Sequence, residues 1–333
     1  MDNTFLRSIR RGLVRGLAAA LAATVVGTAP VGAQDHYPAR PITLIVPFPA
    51  GGGVDAMGRI VAERLTTSLG QQVVIDNRGG AAGVIGTRAA ARAAPDGYTI
   101  VMSTSGTTTV NPTLYAEPGY DVNRDFVPIG LVAVAPIVIM AHPSFPGRTV
   151  ADLIAIARRS GKLDAGTPPA GTENHLAAEM FRAMTGLDIT IVTYKGTGPL
   201  TNDLLGGHIP LAFNTLAPAL GNIEAGSLRV LAVAGAKRSP LLPEVPTVAE
   251  SGLAGFEAAV RYGLMAPAGT PRRIIERLNS ELRAIMVTED TRKRIAAQGG
   301  EPLSSTPEEH AADIARETAR WAPVIHRLGL KIE

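Results

Sequence analysis

The patterned part of the chain opens on a short apolar run, Ile42, Leu44, Ile45 and Val46, which breaks at Pro47 and Pro49 and passes through Gly51, Gly52 and Gly53. From Val54 the period changes. Val54, Met57, Val61, Leu65 and Leu69 recur at spacings of three and four, the signature of one buried helix face. The stretch therefore predicts a strand, a tight loop and a helix start over residues 42–69. Such a loop aims backbone N–H groups from the positive end of a helix, and glycines let a bound group come close to the backbone. Anions bind there, carboxylate as readily as phosphate.

The same alternation continues. Residues 73–76 read as a second strand, a glycine-rich loop (Gly79, Gly80, Gly83, Gly86) leads to a helix ending near residue 93, and the Pro95-Asp96-Gly97 turn opens a third strand over 98–102. That strand empties into a hydroxyl-rich loop over 103–109. Strands alternating with helices predict parallel pairing, and ligands of such open sheets sit beyond the carboxyl ends of the strands. Residues 129–141 are apolar and β-branched, a long strand crossing between two domains. A second alternating set follows. It holds a helix capped by Thr149, a loop over 166–174, a helix with Leu176, Met180 and Met184 inward, and strands over 190–193, 209–213 and 229–234. Residues 257–265 read as the return crossing. Helices are predicted over 271–286, 289–298 and 307–328, the last with Ala311, Ile314, Trp321, Ile325 and Leu328 on one stripe. No tandem repeat is present.

Composition changes this picture in two ways. Four arginines (Arg7, Arg10, Arg11, Arg15) against Asp2 account for the whole formal charge of +3, so the chain after residue 33 is neutral and offers no basic field to nucleic acid or an anionic membrane. Those basic residues precede an apolar stretch over 17–26 and the small residues Val31-Gly32-Ala33. This is the form of a secretory signal peptide over 1–33 cleaved near Ala33, giving a periplasmic protein. Arg10-Arg11 leaves twin-arginine and general export both open. The absence of cysteine excludes disulfides, thiol catalysis, thiolate metal sites and a lipid-bearing cysteine anchor.

Several residues carry candidate chemistry. The run from Gly51 to Ala56 satisfies the dinucleotide fingerprint, with Asp76 placed for a ribose, but the intervening prolines and the export signal favour plain anion binding. Asp55 reads as a partner of the helix dipole or an organiser of the loop. Ser103, Thr104 and Ser105 offer hydroxyls without any nucleophile-elbow motif. His175 and Glu179, four apart on a helix, lack a second ligand pair for a metal, so His175 is expected to line a polar cleft or cap a helix. No metal and no cofactor are expected. Arg261, inside the return crossing, is expected to face the cleft between the lobes.

In order along the chain, YPARPITLIVPFPAGGGVD, QQVVIDNRGGAAGVIG, APDGYTIVMSTSGTTTVNPTLY, YKGTGPLTNDLLGGHI, AGSLRVLAVAGAKRSPLLPEVPTVAESGLAGFE and YGLMAPAGTP resemble the blocks of the Bug family, the extracytoplasmic solute receptors of tripartite tricarboxylate transporters. The resemblance runs from Tyr37 nearly to the end. It implies an α/β protein with the two-lobed, type II periplasmic-binding-protein fold, two α/β domains joined by two crossover strands. The lobes would be residues 36–135 with 266–333, and 136–265. It implies a binding protein and no enzyme, taking a small carboxylate (a di- or tricarboxylate or related organic acid) and handing it to the transporter's membrane subunits, with a monomer as the default state. Carried over by position, the contacts are Pro49, Ala50, Gly51, Gly52 and Asp55 with Ser103, Thr104 and Ser105 from the first lobe. The second lobe supplies Gly171, Thr172, His175, Lys195, Gly196, Thr197 and Asn214, and Arg261 comes from the crossing.

Three departures from the family pattern stand out: Thr172-Glu173-Asn174 adds an acid, Asn214 replaces the usual aspartate, and Arg261 precedes the Tyr-Gly of the return strand. Together they suggest a ligand with a second anionic group and no cationic amine. Two other readings stay open at this point, a sensor that passes its closed state to a signalling partner and a secreted α/β enzyme using the Gly51 loop or a serine with His175.

Overall fold

The first apolar run forms β1 (Ile42–Val46), and the helix after the glycines is α1 (Gly53–Leu69). The structure is a computed structural model in which residues 37–332 are described. The export segment expected over 1–33 lies outside those residues. Met57, Val61, Leu65 and Leu69 of α1 are buried, and each such side chain contributes about 1.5–3 kcal/mol relative to exposure. The helix ends where Gly70 takes the left-handed conformation at φ 68° and its N–H caps the Thr66 carbonyl. Next come β2 (Val73–Asn77), α2 (Val84–Ala91) and β3 (Thr99–Thr104). β1 pairs in parallel with both β2 and β3.

The long apolar run is β4 (Phe126–Ala141), a single 16-residue strand. After it come α3 (Val150–Ser160), β5 (Leu163–Thr167), α4 (Glu173–Thr185), β6 (Ile189–Thr193), α5 (Thr197–Leu205), β7 (Leu211–Thr215) and β8 (Arg229–Val233). The return strand is β9 (Ala259–Pro267), followed by α6 (Arg272–Met286), α7 (Glu289–Ala297), β10 (Glu301–Pro302) and α8 (Pro307–Arg327). Thr149 caps α3 with Asp152 in a reciprocal capping box.

Sheet order explains how the two alternating sets meet. The strands run β2-β1-β3-β9-β4-β7-β5-β6, with β8 and β10 also on β4. β9 lies antiparallel to β3 and to the first part of β4, from Phe126 to Pro136. From Ile137 to Ala141, β4 instead pairs with β7 and β8. One strand thus changes partners along its length and belongs to both parallel sets, giving the two-lobed α/β fold with two crossover strands. From Pro38 onward the chain forms one compact unit.

Four expectations need correction. β3 runs two residues further than its apolar pattern, so Ser103 and Thr104 are ladder residues opposite Gly263 and Tyr262. The rest of the hydroxyl-rich stretch coils into a π-helical turn over Gly106–Val110. Threonine hydroxyls stitch it, Thr107 and Thr108 both donating to the Thr104 carbonyl. β7 starts two residues later than expected. Met184 is exposed at 42%, because α4 buries Leu176, Ala177 and Phe181 instead. On α8 the stripe includes His310, Asp313 and Glu317, all buried, while Ala311 is exposed. Trp321 is core, as its spacing suggested.

Candidate functional site

The carboxyl ends of the parallel strands of both sets open onto one cavity of about 410 Å³. Residues 48–54 after β1 form one wall, with Thr104 at the end of β3. Thr172, Glu173 and Asn174 at the start of α4, residues 195–199 at the start of α5, and Thr215 at the end of β7 form the other. Val260 and Tyr262 of β9 close the base.

Two helices from opposite sides begin at this cavity on glycine. Gly52 is the N-cap of α1 and Gly196 the N-cap of α5, and neither helix start has a side-chain cap. Their N–H groups and partial positive charges therefore face the cavity unspent. Lys195 adds a full positive charge beside the second helix start. The two walls are close. A Cβ on Gly52 would stand 3.3 Å from the Thr197 Oγ1, and one on Gly53 would stand 3.4 Å from both the Thr215 Oγ1 and the Tyr262 hydroxyl. Asn174 Nδ2, Thr197 Oγ1 and Thr215 Oγ1 line this space, buried and without a hydrogen-bond partner. Buried polar groups are nearly always paired, so three orphans around one cavity mark where a ligand's polar atoms belong.

Asp55 builds the glycine loop from beneath and does not line the cavity. Its carboxylate accepts from the Gly51 N–H at 2.9 Å, from Arg59 at 2.8 Å and from Asn77 at 3.0 Å, and Asn77 also holds the Phe48 carbonyl at 3.1 Å. Burial pushes the Asp55 carboxyl up, but the Arg59, Gly51 and Asn77 hydrogen bonds outweigh it and hold the group below the usual carboxylate range. Gly51 itself turns at φ 81°, open to glycine at little cost.

The structure separates the remaining expected residues. Pro49, Ala50, Gly51, Gly52, Thr104, Thr172, Lys195, Gly196 and Thr197 lie on the cavity wall. Ser103 sits behind it, donating to the Gly263 carbonyl at 3.1 Å. Ser105 donates to Glu173 at 2.5 Å. Gly171, at φ 91°, packs against Asn111 and Tyr115 where a Cβ would approach within 3.0 Å. His175 is buried next to Glu179, with 3.8 Å between Nε2 and Oε1, and its backbone N–H caps onto Thr172. Burial, with a smaller contribution from Arg182, pulls its imidazole down to about 4, so it is neutral and lies outside the cavity wall.

Asn214 and Arg261 miss the cavity for one reason. Successive strand residues face opposite sides, so Thr215 reaches the cavity and Asn214 turns inward, where its side chain contacts Thr201 and the Thr215 N–H. Likewise Val260 and Tyr262 face the cavity, while Arg261 points the other way to Asp313 at 3.2 Å and Glu317 at 3.6 Å on α8. The expected cleft-facing cation is a hinge-side ion pair. With it goes the basis for a dianionic ligand.

Sequence reasoning noted Glu173 as an added acid but did not place it among the contacts; it is 2% exposed, lies on the cavity wall and accepts from Ser105 and from the Gly106 N–H. Burial raises its carboxyl above the usual range against the opposing hydrogen bonds. Thr215, Asn174 and Tyr262 were also missed. Strand alternation showed only that Thr215 and Tyr262 face away from Asn214 and Arg261, and carried no signal for which of each pair faces the cavity. Among the described residues no cluster of three or more potential metal ligands exists, and no helix is long and apolar enough to cross a membrane.

Comparison with known proteins places this architecture. The profile of the tripartite tricarboxylate transporter family receptor matches residues 57–330. This chain belongs to that family. The receptor is 40% identical to protein BugT of Bordetella pertussis over 307 residues, covering 92% of this chain and 94% of BugT. An R. palustris protein solved with adipate superposes with a TM-score of 0.86 at 38% identity, over 89% of the receptor and 99% of that chain. MatC from Rhodopseudomonas palustris with bound malate gives 0.82 at 28% identity, over 87% and 100%. The receptor is therefore a periplasmic solute-binding protein of the Bug type and not an enzyme. The dehydrogenase and hydrolase readings fall with that.

Proposed function

We propose that the receptor captures one small organic acid between its lobes, anchors the carboxylate at the two uncapped helix starts with Lys195, and delivers it to the membrane subunits of a tripartite tricarboxylate transporter. One observation carries this reading: α1 and α5, from opposite walls, both begin on glycine N-caps at a single cavity that also holds Lys195. The adipate and malate bound by two similar structures support a carboxylate.

In this reading the lobes are residues 36–135 with 266–333, and 136–265, and the partner change of β4 after Pro136 supports that division. Carboxylate bound to one wall supplies acceptors to the other, which favours the closed arrangement by hinge motion. Pro49, Ala50, Gly51, Gly52, Thr104, Thr172, Lys195, Gly196 and Thr197 make contact. Asp55, Ser103, Ser105, Gly171, His175 and Asn214 hold those residues in place. The protein is exported with a signal peptide cleaved near Ala33 and acts as a monomer.

The test is calorimetric titration of mature receptor, denatured and refolded to remove bound ligand, with a panel of aliphatic and aromatic carboxylates. A ligand bound only by the folded state adds about 2.7 kcal/mol of stability at a hundredfold excess over Kd, so melting temperature gives a second readout. A saturable carboxylate that Lys195→Ala weakens supports the reading. Silence across the panel, or affinity indifferent to Lys195, overturns it.

A further inference from the structure

Lys195 and Glu173 are the only basic and acidic side chains on the cavity wall among the described residues. Glu173 makes no ion pair there. Its carboxyl group has dipoles alone as partners: the Ser105 hydroxyl at 2.5 Å, the Gly106 N–H, and the start of α4, on which it occupies the first turn. Those donors belong to the hydroxyl-rich segment after β3. The site on that segment where a ligand carboxylate would find N–H and O–H donors is thus already filled by a carboxylate of the protein.

We infer that Glu173 determines specificity, so that the cavity accepts a monocarboxylate carrying a hydrogen-bond donor, such as a hydroxyl or an ammonium, at its other end and rejects a second carboxylate there. The inference rests on the carboxylate reading above and sharpens it. With the Ser105 and Gly106 donors already taken by Glu173, a second ligand carboxylate in this buried space would be left without partners, at a desolvation cost that its donor-ended relative avoids. Leaving a competitor's polar group unpaired is one way a binding site refuses a close relative of its ligand. The neighbouring wall is equipped for the donor end. Thr215 Oγ1 and Thr197 Oγ1, both unpartnered, can accept as well as donate. The rest of the lining is largely apolar, with Phe48, Pro168, Pro169 and Val260 around the middle, which suits a methylene chain.

The experiment compares matched acids on refolded, ligand-free receptor by calorimetry: ω-hydroxyhexanoate and ω-aminohexanoate against adipate, and ω-hydroxypentanoate against glutarate. Wild type is expected to prefer the donor-ended acid of at least one pair by roughly tenfold or more. Glu173→Ala frees the Ser105 and Gly106 donors for a ligand carboxylate, and is expected to narrow that ratio by about tenfold through tighter dicarboxylate binding. A purely structural role for Glu173 would change both affinities together and leave the ratio alone. A wild type that binds the dicarboxylates as tightly as their partners, or a ratio unmoved by Glu173→Ala, overturns the inference while leaving the carboxylate reading intact. No binding of any acid overturns both. The wild-type ratio needs no variant, so it decides the matter even if Glu173→Ala fails to fold.

Discussion

The Ser105 hydroxyl donates to the Glu173 carboxylate at 2.5 Å across 68 residues of sequence, joining the segment after β3 to the start of α4. The same oxygen accepts from the Arg261 backbone N–H at 3.1 Å. One small side chain therefore ties both walls of the cavity to the return strand.

Ser105→Ala removes this junction and leaves a buried carboxylate and a backbone N–H each short of a partner. Leaving a buried group unpaired costs about 1–3 kcal/mol. The unfolding free energy is expected to fall by that much, read as a lower urea midpoint at constant m-value. An unchanged midpoint would show that water replaces the hydroxyl at no cost.

Thr197→Val should behave in the opposite way. The Thr197 Oγ1 is buried without a hydrogen-bond partner, so replacing it with a methyl group removes an unsatisfied polar atom. Stability is expected to hold or to rise by up to about 1 kcal/mol, while carboxylate affinity drops. Lower stability with unaltered affinity would make Thr197 a structural residue.

Acid should destabilise the receptor through buried imidazoles. Burial pulls both His310 and His175 from 6.5 down to about 4. Between those values the unfolded chain binds more protons than the folded one, so stability rises with pH across the window. It is fully present above pH 6.5 and lost as pH falls towards about 4. Each such group contributes a slope of up to about 1.4 kcal/mol per pH unit. Glu173, raised by burial, acts with the opposite sign, favouring the folded state more at low pH. His310→Asn is expected to flatten the pH dependence of the denaturation midpoint by up to one proton. Parallel curves for variant and wild type would reject a buried neutral His310.

Arg261→Ala tests the reassigned cation. Its side chain is 26% exposed and pairs with Asp313 and Glu317, away from the cavity. Partly exposed pairs of this kind contribute on the order of 1 kcal/mol. A modest loss of stability is expected, with carboxylate affinity within about twofold of wild type. A large loss of affinity would return Arg261 to the binding site.

The sequence by itself determined most of the architecture. Apolar spacing located β1, α1, the long β4 and the terminal helix, because burying one face of a regular element leaves its period in the chain. The glycine loop was legible for a related reason, since glycine at a helix start reports a backbone exposed to a ligand, whereas the second-lobe residues from Lys195 to Thr197 came from the family resemblance alone. What only the tertiary structure decided was the direction of side chains within strands. A shift of one residue reverses the facing of a strand residue, and nothing in the local pattern marks which of Asn214 and Thr215, or of Arg261 and Tyr262, looks into the cavity. Glu173 was hidden for a further reason. An acid in a first helical turn is ordinary at the surface, and its burial follows only from Ser105 and Gly106, which folding brings from the segment after β3.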